Sequence, residues 1–215
     1  MNPFAMVLSA PSGSGKTTVT RELRKRRNDV GYSVSCTTRE RREDERDGVD
    51  YFFLSKAEFA RRQDRGAFAE WAEVHGQLYG TLKAEVQRVL DNGQHVLMDI
   101  DVQGAAQLVV SYPSCVTVFV LPPSVEVLVG RLRARHTENP ATLLTRLKSA
   151  HAELAEVGRY HYVVVNDDLD AAVRRVSSII DAEEVRRERV RALGTQVAGL
   201  ISRLEREIEE YATKA

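Results

Sequence analysis

The chain has 215 residues, 43% hydrophobic and 29% charged, which is enough for a sizeable core in an ordinary soluble protein. Its formal charge is zero, 31 basic against 31 acidic residues, so no overall charge draws it to nucleic acid or a membrane. Two cysteines, Cys36 and Cys115, point away from a disulfide framework or a zinc cluster and suit a reduced, cytoplasmic setting.

Met1-Asn2-Pro3-Phe4 lacks a basic region and enters an apolar strand, Ala5–Ser9, at once, which is not the pattern of a secretion signal. No apolar run approaches the length of a membrane span. Ala10 to Thr17 reads Ala-Pro-Ser-Gly-Ser-Gly-Lys-Thr, and Lys16–Arg26 has helix-forming character. Strand, glycine-rich turn and helix are the context of a phosphate-binding loop. Gly13 and Gly15 let main-chain N–H groups converge on an anion, and the helix start adds unpaired donors and a positive dipole end. Ala10, Pro11, Ser12, Gly13, Ser14, Gly15, Lys16, Thr17 and Thr18 then line a nucleoside triphosphate. Lys16 reaches its β- and γ-phosphates, and Thr17 ligates Mg²⁺. Ala10 stands where the general pattern has its first glycine. The loop alone does not choose among ATPase, GTPase and kinase.

From Ser33 to Gly93 the chain is rich in Arg, Glu, Asp, Tyr and Phe, with short extended pieces such as Tyr51–Leu54. It reads as an inserted, partly β lobe. Beyond it, strands are expected at His95–Ile100, Val116–Leu121 and Tyr162–Val165. Helices are expected at Leu82–Asp91, Val125–Arg135, Ala141–Val157 and Asp170–Arg189, with Ser124 as a cap. The alternation predicts an α/β fold with a mostly parallel sheet flanked by helices. The tail, Asp181 to Ala215, is charged, with Val190, Leu193, Val197, Leu200, Leu204, Ile208 and Tyr211 mostly three or four apart, so it reads as an amphipathic helix. That stripe either packs on its own subunit or forms a short coiled coil between two copies, which leaves monomer and homodimer open. Gly194 and Gly199 weigh against a continuous helix.

The lobe also holds the residue types of an acceptor pocket. Arg39 and Arg42 suit bidentate capture of a phosphate, and Tyr51 and Tyr79 add hydroxyls. A buried Glu70 can accept two donors from one base edge, while Ser35 and Thr81 donate to a carbonyl. Guanine offers that combination, and adenine leaves the carboxylate unpaired, a mismatch that can cost a factor of about 10⁴. The basic run at Arg39–Arg42 also reads as a solvated face opposing Glu40, Glu43, Asp44 and Glu45.

Over about residues 4 to 185 the chain resembles the guanylate kinase family. The resemblance is carried, in order, by Ser9–Thr17, Ser33–Arg39, Gly48–Tyr51, Glu70–Ala72, Tyr79–Thr81, Asp99–Gly104 and Val165–Leu169. It implies ATP-dependent phosphorylation of GMP, and of dGMP, by in-line transfer, within a P-loop core carrying a GMP-binding lobe and a helical lid. The implied parts are core at 1–34, GMP lobe at 35–93, core again at 94–180 with the lid at about 131–146, and the tail at 181–215. By the same resemblance Ser35, Glu70 and Thr81 read guanine, and Arg39, Arg42, Tyr51 and Tyr79 hold its phosphate. Asp101 lies by the acceptor, and Asp99 with Thr17 organises Mg²⁺; the plainer reading of the two aspartates is a pair capping the next turn. Lys16 and the lid arginines Arg131, Arg135 and Arg146 form the catalytic set. Alanine at the first P-loop glycine is an accepted family variant. Arg41, Asp44 and His136 depart from the family's usual proline and glycines. Two other readings remain: a related kinase of another small phosphate such as a ribose bisphosphate, and a non-catalytic scaffold module. The intact Lys16 and Thr17 weigh against the scaffold.

Overall fold

The computed structural model describes residues 2–74, 76–134 and 140–213. In chain order the first elements are β1 (Ala5–Ser9), α1 (Lys16–Arg26), β2 (Val30–Tyr32), β3 (Cys36–Thr37), β4 (Phe52–Phe53) and α2 (Lys56–Asp64). Next come β5 (Phe68–Val74), β6 (Gln77–Leu82), α3 (Lys83–Asp91), β7 (His95–Asp99) and α4 (Val102–Ser111). The rest are β8 (Val116–Leu121), α5 (Val125–Arg133), α6 (Pro140–Ala155), β9 (Tyr162–Val165), α7 (Leu169–Glu184) and α8 (Leu193–Ala212). Pro3–Ser177 forms one compact unit, and Asn2 with the chain from Ser178 onward forms a second.

Two sheets organise the first unit. β2-β7-β1-β8-β9 is wholly parallel, and β4-β3-β6-β5 is mixed. β1 reads Ala-Met-Val-Leu-Ser and is buried throughout, as a central parallel strand between two helical layers must be. Val7, Val96 and Met98 share one core cluster with Val86 and Val89 of α3 and Leu108 of α4. The register Leu8↔Asp99 brings the ends of β1 and β7 level, so the turns after both open at one edge. The smaller sheet has its own cluster of Cys36, Phe59 and Phe68, with Phe59 stacked on Phe68 at 4.4 Å. Leu128 and Leu132 of α5 pack with Ala150 of α6. Among the described residues no helix is long and apolar enough to cross a membrane.

Strands at 5–9, 116–121 and 162–165 and the helix at 16–26 match expectation. The strand expected to Ile100 ends at Asp99, and the helix expected from Leu82 starts at Lys83. The helix expected at 125–135 ends at Arg133, and Arg135 and His136 lie outside the described residues. The helix expected at 141–157 runs 140–155 and tightens into a 3₁₀ turn at Glu156–Arg159. The one expected at 170–189 stops at Glu184, with a separate 3₁₀ turn at Arg187–Arg189. Unanticipated elements are β2, α2 and α4. α2 is polar, with Phe59 its one buried residue, and Ser55 caps it through Glu58 N–H at 3.1 Å.

The second unit corrects the reading of the tail as one helix. Glu183 is buried and pairs with Arg189 at 3.1 Å, while Asn2 donates to Arg189 O at 3.2 Å, which stabilises a turn between α7 and α8. Ala192, at φ 54°, makes the break; Gly194 and Gly199 lie inside α8. Along α8, Val197, Ile201, Leu204, Ile208 and Tyr211 are 43–69% exposed.

Candidate active site

The loop after β1 is held by two positive-φ glycines, Gly13 at 89° and Gly15 at 88°, where a side chain would be strained. A Cβ on Gly15 would also strike the Asn166 amide, which donates to Ser14 O at 2.7 Å. Arg131 of α5 reaches the same carbonyl at 3.2 Å. Among the described residues α1 has no side-chain cap; Thr18 and Val19 N–H both turn onto Gly15 O at 3.1 Å, and exposed Thr17 and Thr18 flank the helix start. A helix start whose main-chain donors no side chain meets suits an anion. Lys16 donates to Ile100 O at 2.9 Å and meets Asp99 at 3.4 Å. Ala10 and Pro11 are buried, and Ser14 N–H closes the turn on Pro11 O at 3.0 Å. Ser12 N–H donates at 3.1 Å to Glu153 of α6, whose pKa is raised by burial.

A cavity of about 220 Å³ joins this loop to the smaller sheet. Lys16, Ser35, Tyr51, Glu70, Tyr79, Asp99 and Asp101 all line it, so seven residues singled out from the sequence converge. Thr81 stands behind Glu70. The register Glu70↔Thr81 sets the two side chains on one face, and the Thr81 hydroxyl donates to Glu70 Oε1 at 2.5 Å. Glu70 is 4% exposed, and burial pushes its pKa up to about 7 against that hydrogen bond. Burial likewise raises the Tyr51 phenol, whose ring lies edge-on to Tyr79 at 6.0 Å.

The arginines are more dispersed. Arg39 lies over Tyr51 at 5.6 Å and is engaged by Glu45 at 2.6 Å, the leading cause of its raised pKa. Arg42 is solvent-exposed and uses its main-chain N–H on Glu45 at 2.9 Å. Neither lines the cavity. Arg146 is half-buried on α6. Asp101 does cap a helix, accepting from Gln103 and Gly104 N–H at 2.7 and 2.9 Å, whereas Asp99 pairs with Lys16 instead.

Sequence reasoning passed over Asn166, Glu153 and Gly104. Asn166 was legible in principle, since it follows an apolar strand, as Asp99 and Asp101 do. Glu153 lies in the last turn of α6, with nothing in its spacing to set it apart. Cys36, given no role, is a core thiol whose pKa burial raises to about 11.

Known proteins match this arrangement. The family model for guanylate kinase matches residues 3–183. Curated guanylate kinases of Thermotoga maritima and Anaeromyxobacter dehalogenans are 46% and 49% identical, over 84% of this chain and 87% and 81% of theirs. The crystal structure of guanylate kinase from Anaplasma phagocytophilum has a TM-score of 0.75 at 33% identity, covering 90% of this chain and 92% of that one. The chain belongs to the guanylate kinase family.

Proposed function

We propose that the chain transfers the γ-phosphoryl group of ATP to GMP, giving ADP and GDP, and that it also accepts dGMP. The observation that carries this is one cavity in which the P-loop lysine and a buried carboxylate, Glu70, face a common space. The uncapped start of α1 and Lys16 receive the ATP phosphates. Glu70, with Ser35, reads the guanine edge, and Thr81, whose hydroxyl is spent on Glu70 and not on a base carbonyl, holds that carboxylate from behind. Arg39, Arg42, Tyr51 and Tyr79 take the GMP phosphate, which displaces Glu45 from Arg39.

The attacking oxygen belongs to a phosphate already ionised near neutral pH, so no strong general base is required. The task is to align two anions and stabilise the charge spread over the transition state. Lys16, Arg131 and Arg146 supply positive charge, and Arg135 is assigned the same duty by its family position. Asp101 holds the start of α4 beside the acceptor. Thr17 and Asp99 offer hard oxygen donors of the kind Mg²⁺ takes, and magnesium bound there supplies charge neutralisation across the phosphates. Closure of the lid excludes water, which protects ATP from hydrolysis.

The partner reading extends to assembly. Val197, Ile201, Leu204, Ile208 and Tyr211 follow steps of four, three, four and three, the heptad spacing of a coiled coil. The polar face, with Glu205, Glu207, Glu209 and Glu210 against Arg203 and Arg206, is net acidic and disfavours an anionic membrane. The stripe fits a second copy of α8. Two buried cysteines, neither in a disulfide, accord with a cytoplasmic setting.

Steady-state turnover with ATP and a panel of GMP, dGMP, AMP and ribose phosphates tests the reading. Turnover confined to the guanine nucleotides is expected. AMP or a sugar phosphate consumed as well as GMP would overturn it.

A further inference from the structure

We infer that Gly104 is a positioning residue for guanine selection: it leaves, on the first turn of α4, the space in which the Glu70 carboxylate is held. The inference rests on the guanine-reading role proposed above for Glu70.

Nothing in the backbone demands glycine here. Gly104 has no positive φ and lies within an ordinary helix, where alanine is the more stable residue. The demand comes from across the gap. A Cβ built on Gly104 would sit 3.0 Å from the Glu70 carboxyl carbon and closer still to Oε2. Real Cβ atoms do not approach that closely, so one of the two groups would have to move.

Neither has an easy retreat. Glu70 Oε1 is held by Thr81 at 2.5 Å, on the neighbouring strand. α4 is fastened along β5 on both sides of Glu70. The Gln107 amide donates to Trp71 O at 2.7 Å and accepts from Trp71 N–H at 3.2 Å, and Ser111 donates to Ala69 O at 3.1 Å. The helix cannot back away without breaking these bonds. The Gly104 N–H is already taken by Asp101, so the helix start leaves Glu70 to be met by the ligand. An added methyl therefore swings the carboxylate, not the helix, and moves it off the two donors of the guanine edge.

The test is Gly104→Ala, assayed with GMP, with IMP (which lacks the exocyclic amine) and with varied ATP. The expected result is a fall of about 100-fold in kcat/KM for GMP, the scale of a misplacement of roughly 1 Å. KM for ATP stays unchanged and the preference for GMP over IMP collapses. Glu70→Asp provides the second arm, because it withdraws the carboxylate by one methylene. On that background Gly104→Ala should cost less than about threefold, since coupled sites are not additive. If Gly104→Ala alone fails to fold, the double variant should fold. A Gly104→Ala enzyme within about twofold of wild type for GMP, or a double variant that stays unfolded or sums both losses in full, overturns the inference. Glu70→Gln separates the two levels. Retained GMP selectivity there removes the guanine-reading role and the inference with it. Lost selectivity there beside an unaffected Gly104→Ala removes the positioning role alone.

Discussion

Glu70→Gln is expected to stabilise the ligand-free protein at neutral and alkaline pH while crippling its use of GMP. The carboxyl is 4% exposed, and burial is the main reason its pKa rises from the ordinary 4.5 to about 7. Asp101 adds to the rise, and the hydrogen bond from Thr81 opposes it. The folded state therefore holds the proton more tightly than the unfolded chain. Stability from this group is fully present below about pH 4.5 and is lost as pH rises through about 7. At about 1.4 kcal/mol for each tenfold change in proton affinity, the loss comes to about 3 kcal/mol. Glutamine keeps an acceptor for Thr81 and has no charge to bury.

Thermal midpoints of both proteins, without nucleotide, across pH 4.5 to about 8 give the check. The two should nearly coincide at the acid end. The variant should then gain steadily and lead by roughly 6–12 °C above neutrality, for about 3 kcal/mol in a chain of this size. GMP should narrow the gap, because its donors favour the ionised wild-type side chain and ligand linkage stabilises only the form that binds. A lead that does not change with pH, or a wild type more stable than the variant at about pH 8, would refute the burial argument.

Three further outcomes are expected. Lys16→Met should keep its circular dichroism spectrum and lose turnover by about 10³-fold or more, the scale of removing one preorganised donor to transition-state charge. Asn166→Ala deletes a buried 2.7 Å bond to Ser14, so it should lower stability by about 1–3 kcal/mol and raise KM for ATP while leaving KM for GMP near its wild-type value in initial-rate assays. Ile201→Glu with Ile208→Glu places charge on the α8 stripe; sedimentation should give a monomer where the unaltered chain gives a dimer, with kcat retained.

The P-loop and the parallel core were legible because their signals are local. Ala5–Ser9 and Val116–Leu121 are apolar runs whose burial follows from composition, and the glycines between β1 and α1 announce a turn no other residue suits. The cavity-lining residues are a different matter. Glu70 and Thr81 lie eleven positions apart, and only the β5–β6 register makes them partners. Arg39 and Arg42 read equally as phosphate ligands or as a solvated run, and in the ligand-free protein Arg39 is tied to Glu45 while the Arg42 side chain lies open. The end of α7 was missed because an ion pair closing the following turn decides it. Ala192 breaks the tail although two glycines a few residues later stay helical, because the Glu183–Arg189 pair fixes a turn before them. Gly104 is the sharpest case. Within its own helix it reads as a weak residue, and its purpose appears only when the Glu70 carboxyl is seen against it. A residue that disfavours its own element is a pointer to a demand from outside that element, and here the demand is room for an acid.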